Sequence, residues 1–149
     1  KQMTESVWFG TEGNDGAEHS DCARDTDAAE TATGTDCAGF DTVGTFTGSL
    51  HGEGHTIAGL TINRSTSSNV GLFSYLGDGP AGNDLYEFTL ESPTVRGSSY
   101  VGPIAGSNGG ASVNRVHVHN ATVDGESSYV GGAFGRMYND NANSDVESV

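Results

Sequence analysis

Short runs in which apolar and polar residues alternate recur at near-constant intervals along most of this chain. Leu60-Thr-Ile62, Phe88-Thr-Leu90 and Val116-His-Val118 are three such runs. Downstream of each lies a related phrase: Asn69-Val-Gly-Leu-Phe-Ser-Tyr75, Tyr100-Val-Gly-Pro-Ile-Ala-Gly106 and Tyr129-Val-Gly-Gly-Ala-Phe-Gly135. The spacing is roughly 28 to 31 residues, inside the window where self-similarity signals a solenoid, propeller or array. Each unit holds two or three runs of period two, rich in Val, Ile, Leu, Phe, Thr and Tyr, and none has the three-and-four apolar spacing of a helix. Glycine supplies 23 of 149 residues and clusters where strands must turn. The pattern predicts an all-β chain, a β-solenoid of roughly three to four coils. Its inward positions are expected to be Ile57, Leu60, Ile62, Val70, Leu72, Phe88, Leu90, Val95, Val101, Ile104, Val116, Val118, Val123, Val130 and Phe134, with Gly71, Gly102 and Gly131 stacked at one corner.

Residues 1–41 follow a different regime. They carry half of the acidic residues and almost no alternation, apart from Val7-Trp8-Phe9. A stack of coils needs its terminal core covered, so this segment reads as an N-terminal cap on a repeat region spanning 42–149. Cys22 and Cys37 form an even pair in a stretch with little else to hold it, which favours a disulfide. Closing such a loop is worth about 3 kcal/mol in the chain-entropy model. The alternatives are a disordered acidic leader and two free thiols or half of a metal site.

Charge narrows the setting. Twenty Asp and Glu face six Lys and Arg, for a net charge of −14. Nucleic acid and anionic membrane surfaces would be repelled, and no apolar run is long enough to span a bilayer. At molar salt the Debye length falls to about 3 Å, so such a surface stops repelling itself and stays hydrated. The composition resembles secreted proteins of extreme halophiles, the alternative being an ordinary acidic extracellular protein. A hydrophobic content of 34% suits the narrow core of a solenoid better than a sandwich. The chain opens on Lys1 without a signal peptide and ends on Asp145-Val-Glu-Ser-Val149, which reads as the start of another alternating run. A processed product or an excised piece is expected, with an open C-terminal coil.

Phe46-Thr-Gly-Ser-Leu-His-Gly-Glu-Gly-His-Thr-Ile-Ala-Gly-Leu-Thr-Ile62, followed by Val70-Gly-Leu-Phe73, resembles the first coil of the GLUG-motif family. Val101-Gly-Pro-Ile104 and Val130-Gly-Gly-Ala-Phe-Gly135 resemble its repeating signature. The resemblance covers about residues 42–149, and departs from the family at His51 and at Pro103, which as a proline prefers a corner or an edge. It implies a β-helical stack on bacterial or archaeal surface proteins, adhesins and large secreted proteases among them. There the repeats act as scaffold, stalk or binding surface and do not carry catalysis; His55 would be structural.

Candidate chemistry is sparse. His117 and His119 should share an outer strand face, about 7 Å apart, without a third metal ligand at a readable spacing. Asn139, Asn141, Asn143 and Asp145 alternate oxygen ligands as calcium loops do, but lack the glycine and distal acid of an EF-hand, leaving a looser calcium site or an Asn/Asp-rich turn. Glu12-Gly-Asn-Asp15 is a weaker version. Polysaccharide-cleaving β-helices need acids converging on adjacent coils, whereas Asn63, Glu91 and His119 are expected to form a mixed row. No Gly-x-Ser-x-Gly is present, so no enzyme is expected. Asn63-Arg-Ser65 and Asn120-Ala-Thr122 are sequons expected at exposed corners, or chance matches in a chain rich in Asn, Ser and Thr. Tyr100 and Tyr129 occupy matching positions and can stack on sugar rings or simply on each other. The expected role is a structural or adhesive extracellular module without a cofactor. Its partners would be neighbouring repeats or identical subunits at the open coil, and surface glycans. The alternative is a carbohydrate-binding or polysaccharide-cleaving β-helix.

Overall fold

The computed structural model describes residues 39–77, 84–138 and 146–147. Cys22 and Cys37, the rest of the expected cap up to residue 38, and the calcium candidates Asn139, Asn141, Asn143 and Asp145 lie outside the described residues.

The described residues are all-β, and none is helical. The first circuit is β1 (Val43–Phe46), β2 (Leu50–Ala58) and β3 (Thr61–Val70). The second is β4 (Phe73–Leu76), β5 (Asp84–Glu91) and β6 (Thr94–Val101), and the third is β7 (Ala105–Asn108), β8 (Ser112–His119) and β9 (Thr122–Gly125). A fourth is begun by β10 (Phe134–Met137) and β11 (Val146–Glu147). The strands fall into three sheets, ordered β1-β4-β7-β10, β2-β5-β8-β11 and β3-β6-β9. Every pairing within them is parallel. The chain thus visits the three sheets in turn and lays each new strand on the one from the previous circuit, which is the geometry of stacked coils.

Register explains the sequence pattern. Leu50 pairs with Leu85, and Leu85 with Val113. Ile57, Leu90 and Val118 form another column, as do Ile62, Val95 and Val123. Like stacks on like, so apolar residues of β2, β3, β5, β6 and β8 contribute to one continuous core. Leu90, Ile62, Val95, Val101, Ile104 and Val116 are wholly shielded from solvent. Removing a side chain of this kind from water is worth about 1.5–3 kcal/mol. Among the expected inward positions Leu60, Val70, Leu72, Phe88 and Phe134 are also buried, whereas Ile57, Val118 and Val123 are half-buried against the core. Val130 departs from expectation. It is 45% exposed, because no described strand lies over it on the far side. Leu76, Leu85, Ala105 and Val113 are core residues that the repeat comparison passed over.

The three glycines do lie at one corner, on successive rungs. The Gly102 N–H donates to the Val70 carbonyl and the Gly131 N–H to the Val101 carbonyl, each at 3.0 Å. A Cβ on Gly71 would run into the Gly102 carbonyl, and one on Gly102 would sit 2.6 Å from backbone atoms of Phe134 and Gly135. Close approach of one coil's backbone to the next is therefore what these glycines permit. Pro103 occupies the same corner, between β6 and β7, where its missing N–H is not needed and its carbonyl accepts from Leu72 at 3.0 Å.

One expected alignment is corrected. Leu60-Thr-Ile62 does not stack on Phe88-Thr-Leu90; the strand beneath β5 is β2, with His55 opposite Phe88 and Ile57 opposite Leu90. The cause lies between the two strands: a bulge in β3, where the register shifts between Arg64 and Ser68, and a connection from Leu76 to Leu85 that is longer than its counterpart from Asn108 to Val113. Extra residues there lengthen the circuit from β2 to β5, so counting along the chain lands on the wrong strand.

Candidate functional site

Each coil turns from the third sheet into the first through a residue in the left-handed region: Asn69 (φ 59), Tyr100 (φ 54) and Tyr129 (φ 64). Asparagine tolerates this conformation; an aromatic residue pays about 1–2 kcal/mol for it. The ladder holds it there. The Tyr100 N–H donates to the Ser128 carbonyl and the Val101 N–H to the Tyr129 carbonyl, both at 3.0 Å. The last glycine of each later phrase leaves room for the bend, since a Cβ on Gly106 would collide with Asn69 and one on Gly135 with Tyr100.

The two tyrosine rings stack with centroids 4.9 Å apart and planes inclined by 7°. That separation matches the spacing of adjacent strands, as expected of side chains from neighbouring rungs in register. Tyr129 is 58% exposed. Arg136 reaches this row from β10, its guanidinium carbon 5.7 Å from the Tyr100 centroid, 5.9 Å from that of Tyr129 and 4.6 Å from that of Tyr138. Tyr138 in turn lies 6.1 Å from Tyr75. Beneath the cluster the Ser107 hydroxyl donates to Asn69 Oδ1 at 2.7 Å. The result is a cation set against three tyrosine rings, with Tyr75 packed on the third. Tyr100 and Tyr129 were identifiable from the repeat; Tyr75, Arg136 and Tyr138 were not. Register puts Tyr75, Ser107 and Arg136 in one column, which the repeated phrases do not align.

The remaining candidates scatter. Asn63 is half-buried within β3, opposite Arg96, with its Oδ1 buried and lacking a hydrogen-bond partner among the described residues. The exposed corner expected for it is therefore corrected, and so is the row Asn63, Glu91, His119. Asn63 stacks with Arg96 and Asp124, while Glu91 and His119 share a column with Ala58. Asn120 does sit at an exposed corner, between β8 and β9 (φ 53), and its Nδ2 donates to Glu91 Oε1 at 2.9 Å. His117 and His119 are both exposed, with ring centroids 6.1 Å apart, and no group of three metal-binding side chains occurs among the described residues. His55 Nδ1 donates to the Gly52 carbonyl at 2.8 Å, closing the turn within a bulge of β2.

Three of the four described arginines are neutralised by carboxylates. Arg64 lies 3.2 Å from Asp41, Arg96 is 3.1 Å from Glu126 and 3.5 Å from Asp124, and Arg115 pairs with Glu87 while lying 4.7 Å over the Tyr86 ring. Arg136 is the exception.

A haloarchaeal protein is similar. The chain is 41% identical over 106 residues to halomucin of Haloquadratum walsbyi (strain DSM 16790 / HBSQ001), a match covering 68% of this chain and 1% of halomucin. No family model matches the chain. No solved structure matches it either.

Proposed function

We propose that this chain is a non-catalytic structural module of an extracellular, cell-surface protein of a halophile. The observation that carries the reading is the similarity to halomucin, a haloarchaeal cell-surface protein of which the chain spans about 1% of the length. A net charge of −14 supports the saline setting, and coils that stack on one another suit a module repeated along a surface protein. Further coils of the same chain or an identical subunit would continue the β2-β5-β8-β11 and β1-β4-β7-β10 ladders and cover Val130 and Met137, giving a stalk or filament. This extends to the GLUG-type solenoid and adhesive role that the repeated phrases imply. A Cys22–Cys37 disulfide would fit the same oxidising location. Protease shaving of intact cells that make the protein tests it. Release of peptides from residues 42–149 without lysis is expected; their recovery only from lysed cells would overturn the surface reading.

A second reading, carbohydrate binding, is favoured by the stacked and exposed pair Tyr100 and Tyr129, since flat aromatic faces are what sugar rings pack against. Binding to a neutral oligosaccharide that is lost in Tyr129→Asn would support it.

A further inference from the structure

We infer that the corner formed by Tyr129, Tyr100, Arg136 and Tyr138 is a subsite for an acidic sugar, one carrying a carboxylate or sulfate on a pyranose ring. The inference rests on the carbohydrate-binding reading of the tyrosine row and adds the charge class of the ligand.

Three observations converge on it. The first is the state of Arg136. In a chain of net charge −14, the other described arginines stand beside carboxylates, and Arg136 has none among the described residues. It is nevertheless placed, by contacts to three tyrosine rings. Contacts of this kind use the π system of the rings and leave the in-plane N–H donors of the guanidinium available, and those donors match an anion bidentately. The second is where Arg136 stands relative to the stacked pair. Its distances to the Tyr100 and Tyr129 centroids, 5.7 and 5.9 Å, are nearly equal. A point equidistant from two parallel rings lies beside the stack and not on its end. Where no further coil stacks on this end, the exposed outer face of Tyr129 is therefore open to a ring-shaped ligand, with the cation at its flank. The third is backbone strain. Tyr100 and Tyr129 hold a left-handed conformation that the same position in the first coil fills with Asn69, a residue better suited to it. Stacking of the two rings on each other offsets that strain only in part.

Recognition of this form also suits high salt. Long-range attraction is screened at molar ionic strength, whereas ring stacking and a bidentate contact act at van der Waals distance. A chain of net charge −14 would repel a polyanion at low salt, so affinity should rise, not fall, as salt is added up to molar concentration.

The test is calorimetric titration of the 149-residue chain in molar salt. The probes are an oligogalacturonate and a neutral cello-oligosaccharide of equal length. Four proteins are compared: wild type, Arg136→Gln, Arg136→Lys and Tyr129→Asn, the last chosen because Asn69 already occupies that place in the first coil. Circular dichroism melts establish that each is folded. The expected result is a preference for the uronate of about tenfold, corresponding to the gain from one charge-assisted contact. Arg136→Gln should abolish the preference while retaining neutral binding, Arg136→Lys should retain only part of it, and Tyr129→Asn should weaken both ligands. Equal binding of the two probes, or a preference unchanged in Arg136→Gln, overturns the acidic-sugar assignment and leaves the carbohydrate reading standing. Binding of neither probe overturns both.

Discussion

At the residue scale the coil stack is limited by how closely successive backbones approach. Gly102 and Gly132 make the contrast, for a methyl group on the first meets the β10 backbone at 2.6 Å while one on the second meets nothing within 4 Å. Gly102→Ala should cost about 1–3 kcal/mol through forced backbone displacement. Gly132→Ala should stay within about 1 kcal/mol of wild type. Denaturant melts in molar salt would show it, and equal midpoints for the two variants would contradict the corner geometry. Leu90 sits at the centre of a core column, so Leu90→Ala should lose about 2–5 kcal/mol in the same assay. The two sequons differ for a related reason. Asn63 is held within a strand and Asn120 stands at a corner, so intact-protein mass spectrometry of material from a glycosylating source should find sugar on Asn120 and not on Asn63.

Elements are tied together mainly by ladders and turns. The buried Asn108 closes the bend between β7 and β8, its Oδ1 accepting from Gly110 and Ala111 N–H groups at 3.1 and 2.9 Å and its Nδ2 donating to the Ala111 carbonyl at 3.0 Å. Asn108→Ala leaves these groups unpaired and should cost about 1–3 kcal/mol, measured by thermal melting. Arg96 links β6 to β9 through exposed carboxylates, so Arg96→Ala should change stability by no more than about 1 kcal/mol. The coil period was legible because Val70, Val101 and Val130 each begin a phrase with the same packing task, one valine under the corner and one glycine in it. The placement of Leu60 was not, because a bulge in β3 and a longer connection from β4 to β5 change the residue count without changing the hydrophobic alternation on either side of them. Likewise Phe73 pairs with Ala105 and not with Ile104, since the second phrase carries one more residue through the corner than the first. That insertion hid the column of Tyr75, Ser107 and Arg136, and with it the part of the tyrosine cluster contributed by the first sheet.

For the whole molecule, charge and architecture make separate demands. A net charge of −14 destabilises any compact state at low ionic strength through self-repulsion, and molar salt relieves it. Circular dichroism across a salt series should therefore show strand content and melting temperature rising together up to molar concentration. A melting temperature independent of salt would remove the support that composition gives to a halophilic setting. The central claim is that the repeated Val-Gly phrases are adjacent rungs of one parallel ladder. Trans-hydrogen-bond scalar couplings in a long-range HNCO spectrum of the labelled chain test it most directly. The ladder predicts cross-peaks from the Gly102 amide to the Val70 carbonyl and from the Gly131 amide to the Val101 carbonyl. Couplings from these amides to other carbonyls, in particular to partners in an antiparallel register, would contradict it.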